Sequence, residues 1–140
     1  MVTPVVQGAP AVWPMPRSEA RISAAYASLE ADGALLDLPI TVPNLERAVY
    51  AYYQTAHGLP SPYGLNEPVP QRIWSNRLTR FLLTLEAGRA VTLPRLLPDL
   101  ELVTGARLLR AQGYRYVVVH ERLYTRSKAH MVEKVLTSVL

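Results

Sequence analysis

The side chains whose types and spacing invite chemistry fall in two places. Asp37 interrupts the apolar run ALLDLPI at 34–40, and His120 directly follows the valines of YRYVVVH at 114–120. If both runs are parallel, adjacent strands, the aspartate and histidine approach one sheet edge. Open α/β sheets favour ligands there, outside the carboxyl ends of their strands. Glu121, Arg122 and Arg126 follow just beyond. An Asp–His pair in that position is suited to acid–base work or to binding a polar ligand. The structural alternative is an aspartate capping a turn and a histidine bonding backbone.

The second place is YYQTAHGLPSPYG, residues 52–64, with paired tyrosines, Gln54, His57 and two Gly and two Pro residues. On a helix ending at Gly58, Glu46, Tyr50, Gln54 and His57 recur at spacings of 4, 4 and 3 and share one side. Such a stripe could form a hydrogen-bonding ledge for a sugar or other polyol, with His57 as acid or base near neutral pH. It could equally be a solvent-facing side on which His57 satisfies helix-terminal carbonyls.

Several chemistries are excluded or disfavoured. The chain has no cysteine, which removes disulfides and thiolate sites. His57, His120 and His130 lack HxxxH spacing, so no zinc site is expected. GxGxxG, GxxxxGK[ST] and GxSxG are all missing. The pairs Arg77 with Arg80 and Arg107 with Arg110 could meet phosphates, but they also suit the solvated faces of amphipathic helices.

The elements that must position these groups follow from periodicity. With 140 residues the chain fits a single domain. Residues 2–16 contain four prolines and read as an extended lead-in or linker, so the domain is expected over 18–140. Helices are predicted over about 19–31, from Asn44 to His57, over about 71–87, from about Asp99 to before Gly113, and from Thr125 or Ser127 to the end. Apolar faces are expected from Ile22, Ala25, Tyr26 and Leu29 in the first helix, and from Leu45, Val49, Tyr52, Tyr53 and Ala56 in the second. The third presents Trp74, Leu78, Phe81, Leu82 and Leu85. Gly105 inside the fourth suggests close packing or a weakened helix middle. LPSPYG reads as an edge strand or extended loop, and TLPRLLP as a connection.

The strands read as ALLDLPI and YRYVVVH, and the valine run belongs at a sheet centre. Alternating strands and helices predict an α/β fold, with a small, mostly parallel sheet of three or four strands flanked by about five helices. Charge is uneven: residues 1–67 carry three Arg against six acids, and residues 68–140 carry twelve Lys or Arg against five. The basic half could attract nucleic acid or anionic lipid, an alternative reading of function, yet its aromatics are not interleaved as single-strand binders require. No nucleic acid is expected as a partner. A freestanding acid–base enzyme built on Asp37, His57 and His120 is a further alternative. No apolar run is long enough to span a bilayer, and no signal peptide is evident.

The order GALLDLPI, YYQTAHGLPSPYG, GYRYVVVH resembles the soluble C-terminal region of bacterial multi-spanning glycosyltransferases of the GT-C type, similar to dolichyl-phosphate-mannose protein mannosyltransferases. Those regions carry a VLDLP strand, a YYQT or YYST segment followed by HGKP or HWKP and NG, and a GVRYVVVH strand. The likeness covers about residues 19–123. This chain departs from it at Leu59, where Lys is common, and at Ser61, Pro62 and Tyr63.

The resemblance implies a non-catalytic accessory domain, membrane-attached through its parent and on the extracytoplasmic face. Its partners would be the parent's transmembrane portion and a glycan or lipid-linked sugar. Candidate ligand contacts are Asp37, Tyr50, Tyr53, Gln54, His57, Gly58, His120 and Arg122. No catalytic residue, metal or cofactor is assigned.

Overall fold

A computed structural model describes residues 22, 24–30, 32–41, 44–64, 68–88 and 99–140. The expected linker at 1–17, the Ser18 cap, the connection at 92–98 and the side chains of Asn44, Leu45 and Glu46 lie outside the described residues.

Two apolar runs make the sheet. Ala34–Leu38 forms β1 and Tyr114–Val119 forms β2. They pair in parallel, with Leu36 opposite Val117, Asp37 opposite Val118 and Leu38 opposite Val119, after an irregularity between Ala34 and Leu35. Parallel strands need a crossover of a dozen or more residues. Here it carries four helices: α2 (Asn44–His57), α3 (Gln71–Ser75), α4 (Arg77–Glu86) and α5 (Leu100–Ala111). The short α1 (Ala24–Ala27) precedes β1, and a 3₁₀ turn at Glu121–Leu123 leads into α6 (Arg126–Val139). Among the described residues no helix is long and apolar enough to cross a membrane.

The fold is α/β as expected, but the described sheet has two strands rather than three or four. The 59–64 stretch is extended without being a strand, because Pro60 and Pro62 have no N–H to give a ladder. It still pairs locally, as Leu35 N donates to Pro60 O at 2.8 Å. The valine run is not the sheet's centre: Val117, Val118 and Val119 are only partly buried, whereas Leu35, Leu36 and Leu38 of β1 are fully so.

The single helix expected over 71–87 is two, giving six helices among the described residues. Asn76 causes the break. Its backbone is extended, at φ −69° and ψ 138°, and its Oδ1 accepts from Leu78 N and Thr79 N at the start of α4. The break turns Ile73 fully into the core and leaves Trp74 38% exposed, so the predicted stripe loses its first member. At α6, Thr125 holds the N-cap position but its hydroxyl makes no capping bond.

The same asparagine fastens α4 to α5, since its Nδ2 donates to Gly105 O at 2.9 Å. The glycine is what admits this approach: a Cβ there would sit 2.6 Å from Leu78 N and 3.0 Å from Asn76 Oδ1. Gly105→Ala therefore sets a helix-propensity gain of about 1 kcal/mol against an overpacking cost of about 1–3 kcal/mol at a backbone atom that the cap holds in place. A net loss of about 1–2 kcal/mol is expected in urea unfolding, and a stabilised variant would contradict the close contact.

Candidate functional site

Asp37 is completely buried near the carboxyl end of β1, and His120 sits just past β2 with its side chain 8% exposed. The parallel pairing sets them side by side, with His120 Nε2 2.9 Å from Asp37 Oδ1. A third group joins them from α1: the Tyr26 hydroxyl donates to the same Oδ1 at 2.7 Å and lies 3.0 Å from His120 Nε2. A carboxylate only accepts, and the tyrosine has one proton, already given to Oδ1. The proton between the ring and its two oxygen neighbours is then on His120 Nε2. Asp37 Oδ2 has no hydrogen-bond partner among the described residues.

Burial, reinforced by the bond to Asp37 and that residue's charge, raises the Tyr26 pKa far above the usual phenol value. The phenol therefore stays protonated and remains a donor. Tyr63 closes the knot from outside by donating to Asp37 O, and burial raises its pKa as well.

Helix α2 supplies the surrounding rings, on a face other than the one expected. Tyr50 and Tyr53 are buried, whereas Tyr52 is 42% exposed and Ala56 is exposed. Tyr53 stacks on His120 at 5.6 Å and 8°, and His57 stacks on Tyr26 at 5.0 Å and 13°. Tyr50 lies 4.9 Å from His120 and donates its hydroxyl to Pro39 O at 3.0 Å. Arg122 hydrogen-bonds the Tyr53 hydroxyl. The polar stripe of Tyr50, Gln54 and His57 is thus turned largely inward, and Glu46 lies outside the described side chains.

Gly58 adopts φ +66° and its N–H bonds Gln54 O at 2.8 Å, the left-handed helix ending expected of that glycine. The turn brings Leu59 N to His57 Nδ1 at 3.0 Å and Gln54 Nε2 to Leu59 O at 3.1 Å. Because Nδ1 accepts, the neutral His57 ring carries its proton on Nε2, an atom that is buried and unpartnered among the described residues. Burial lowers the His57 pKa, with the charge of Asp37 opposing.

The predicted residues therefore divide into two groups. Asp37, Tyr50, Tyr53 and His120 meet at the carboxyl ends of the strands in a sealed cluster, with the exposed Arg122 at its rim. His57 and Gly58, with Ser61 and Arg72, line a cavity of about 640 Å³ where both strands begin, at Gly33–Ala34 and Gly113–Tyr114. His57 links the groups through its stack on Tyr26, but no hydrogen bond joins it to Asp37 or His120 among the described residues. No described group of three His, Asp or Glu side chains could hold a metal ion.

No protein-family model, curated protein or solved structure matches the chain.

Two residues that organise this region were not recognised from sequence as site residues. Tyr26 reads as one more apolar position of a short helix, and only the fold gives its hydroxyl a partner. Glu86, at the end of α4, accepts from Ile40 N, Thr41 N, Thr41 Oγ1 and the Tyr124 hydroxyl at 2.8–2.9 Å. It ties the turn after β1 to the approach to α6. Burial and the neighbouring Glu86 charge raise the Tyr124 pKa.

Tyr26→Phe removes a buried donor to a charged acceptor and is expected to cost about 1.5–3 kcal/mol in chemical unfolding. A loss below about 0.5 kcal/mol would mean the hydroxyl is not holding Asp37. His57 gives a signed pH test. Its folded pKa lies below the unfolded value of about 6.5, so its contribution is intact above that pH and is lost as pH falls toward the folded value. The stability of His57→Asn should decline less steeply below pH of about 6.5 than that of the parent chain, as read from denaturation midpoints. Parallel curves for the two proteins would speak against a buried neutral imidazole.

Proposed function

We propose that this chain is a non-catalytic accessory domain of a membrane glycosyltransferase-like protein. In this reading it is joined to the parent's transmembrane portion on the extracytoplasmic face and recognises a glycan or the sugar of a lipid-linked donor. One observation carries the reading. The three short blocks on which the sequence resemblance rests, LLDLP, YYQTAHG and YVVVH, meet through Asp37, Tyr53 and His120 in one cluster, with His57 stacked on its Tyr26. Residues far apart in sequence and shared by that resemblance are thereby neighbours in space.

The state of the acid–base pair supports the non-catalytic reading. Asp37 is 0% exposed and its Oδ1 already accepts from Tyr26 and His120, so a substrate has no path to it without dismantling the knot. The cavity at the other end of the strands is lined by the His57–Gly58 turn, Ser61, Arg72 and Tyr114, with the exposed Arg72 as its donor. A sugar hydroxyl accepting from that guanidinium suits such a lining.

The test is a titration of the ¹⁵N-labelled chain with a soluble mannose oligosaccharide, followed by amide and side-chain NMR shifts. Saturable shifts are expected at His57, Gly58 and the Gln54 side-chain amide, with the exposed Tyr52 amide as internal reference. Unmoved resonances at those three positions at saturating sugar would sink the reading.

A further inference from the structure

The two outer edges of the sheet are treated differently. On β1, residues 35 and 37 turn their backbone groups away from β2, and one group of each finds a partner: Leu35 N bonds Pro60 O, and Asp37 O receives the Tyr63 hydroxyl. On β2, His120 N reaches Leu38 O, so the alternation of a strand turns Val118 and Tyr116 toward β1 and Val117 and Val119 outward. Those outward N–H and C=O groups have no partner among the described residues, and no third strand lies beyond them. A β-branched edge left open is a template for another strand.

A groove of about 790 Å³ starts at this edge and runs between α5, α6 and β2. Leu82, Ala106, Leu109 and Val139 contribute to its apolar floor, and Arg107, Arg110 and Arg115 stand in its lining with no acidic residue among them. Arg115 pairs with Asp32 at 2.8 Å, whereas Arg107 and Arg110 make no ion pair among the described residues.

We propose that this edge and groove accept an extended peptide with apolar and acidic side chains on one face, which adds to the sheet as a third strand beside β2. Its backbone pairs with Val117 and Val119, and every second side chain faces the groove, an apolar one over the floor and an acidic one beside Arg107 and Arg110. The planar forks of those arginines suit bidentate pairing with a carboxylate. The free backbone groups decide between this occupant and an anionic lipid. An acyl chain laid on the edge desolvates those groups without pairing them, which costs free energy that a peptide recovers. A second copy of this chain fits poorly, because it would bring its own arginines toward the same groove. The chain's proline-rich residues 2–16 contain no acid to meet the arginines.

The experiment is fluorescence anisotropy of the full chain with a labelled peptide of about six residues, the length of a typical strand, with valine and glutamate in turn at every second position and threonine between them. Three comparisons accompany it: the valine–lysine peptide, the valine–glutamate peptide N-methylated on its edge-facing amides, and the charge-reversed Arg107→Glu, Arg110→Glu chain. Both substituted arginines are exposed, so the variant keeps its fold, checked by circular dichroism. The valine–glutamate peptide is expected to bind saturably, and each comparison to weaken binding by about tenfold or more.

Equal binding of the N-methylated peptide would refute strand addition, and equal binding of the lysine peptide would refute the charge match. No peptide binding, or association only with phosphatidylglycerol vesicles or with a second copy, would likewise overturn the proposal.

Discussion

A buried carboxylate with its two donors is the constraint around which this fold is arranged. Asp37 has no access to water, so its charge is tolerable only where protein donors replace hydration. Tyr26 and His120 supply donors to its Oδ1, while Oδ2 has none among the described residues, and they come from α1 and the end of β2. Holding one side chain thus fixes three separate pieces of chain relative to one another. The parallel register follows from the same requirement. A slip of β2 by one residue would carry His120 away from Oδ1 and turn its side chains to the opposite faces.

This cluster also explains why α2 buries tyrosines instead of aliphatic residues. Tyr50, Tyr53 and His57 present flat rings to Tyr26 and His120, and their polar tips reach Pro39 O, Arg122 and Leu59 N. Aromatic residues combine large buried area with a hydrogen-bonding handle, which is what a core with a charge at its centre needs. Glu86 repeats the scheme at the next turn, where one carboxylate gathers two backbone amides and two hydroxyls. Its position is partly exposed, so its desolvation is less severe than that of Asp37.

What sequence reasoning reached and what it missed both have physical causes. The pairing of Asp37 with His120 was legible, because a polar residue inside one apolar run and another at the end of a second must meet if the runs are parallel neighbours. Gly58 and Gly105 were legible too, one as a helix stop and one as a close contact. Tyr26 was hidden because a phenol at helical spacing counts as apolar until a buried acceptor is known. The face of α2 was misjudged for a related reason: Tyr50 and Tyr52 have the same type, and periodicity cannot say which one has a buried carbonyl waiting. The break at Asn76 depends on a side chain that caps one helix while bonding the carbonyl of another, a tertiary contact with no local signature. The valine run was placed at the centre of a sheet on its hydrophobicity, yet among the described residues only β1 flanks it.

The difference between the two strands bears on what each can do. β1 has partners on both edges, with Leu35 N and Asp37 O bonded on the outer one, and it holds Asp37 in place. Among the described residues β2 is paired on one side, leaving a β-branched edge beside an apolar groove. Native proteins blunt such edges with charge, prolines or covering segments. Here the charge is present as arginines on α5 and at the start of β2. Positive charge at an edge repels another copy of the same edge and attracts acidic segments. The knot at the carboxyl ends keeps β2 from shifting along β1, and a strand that cannot slip offers a fixed register to whatever pairs with its other side.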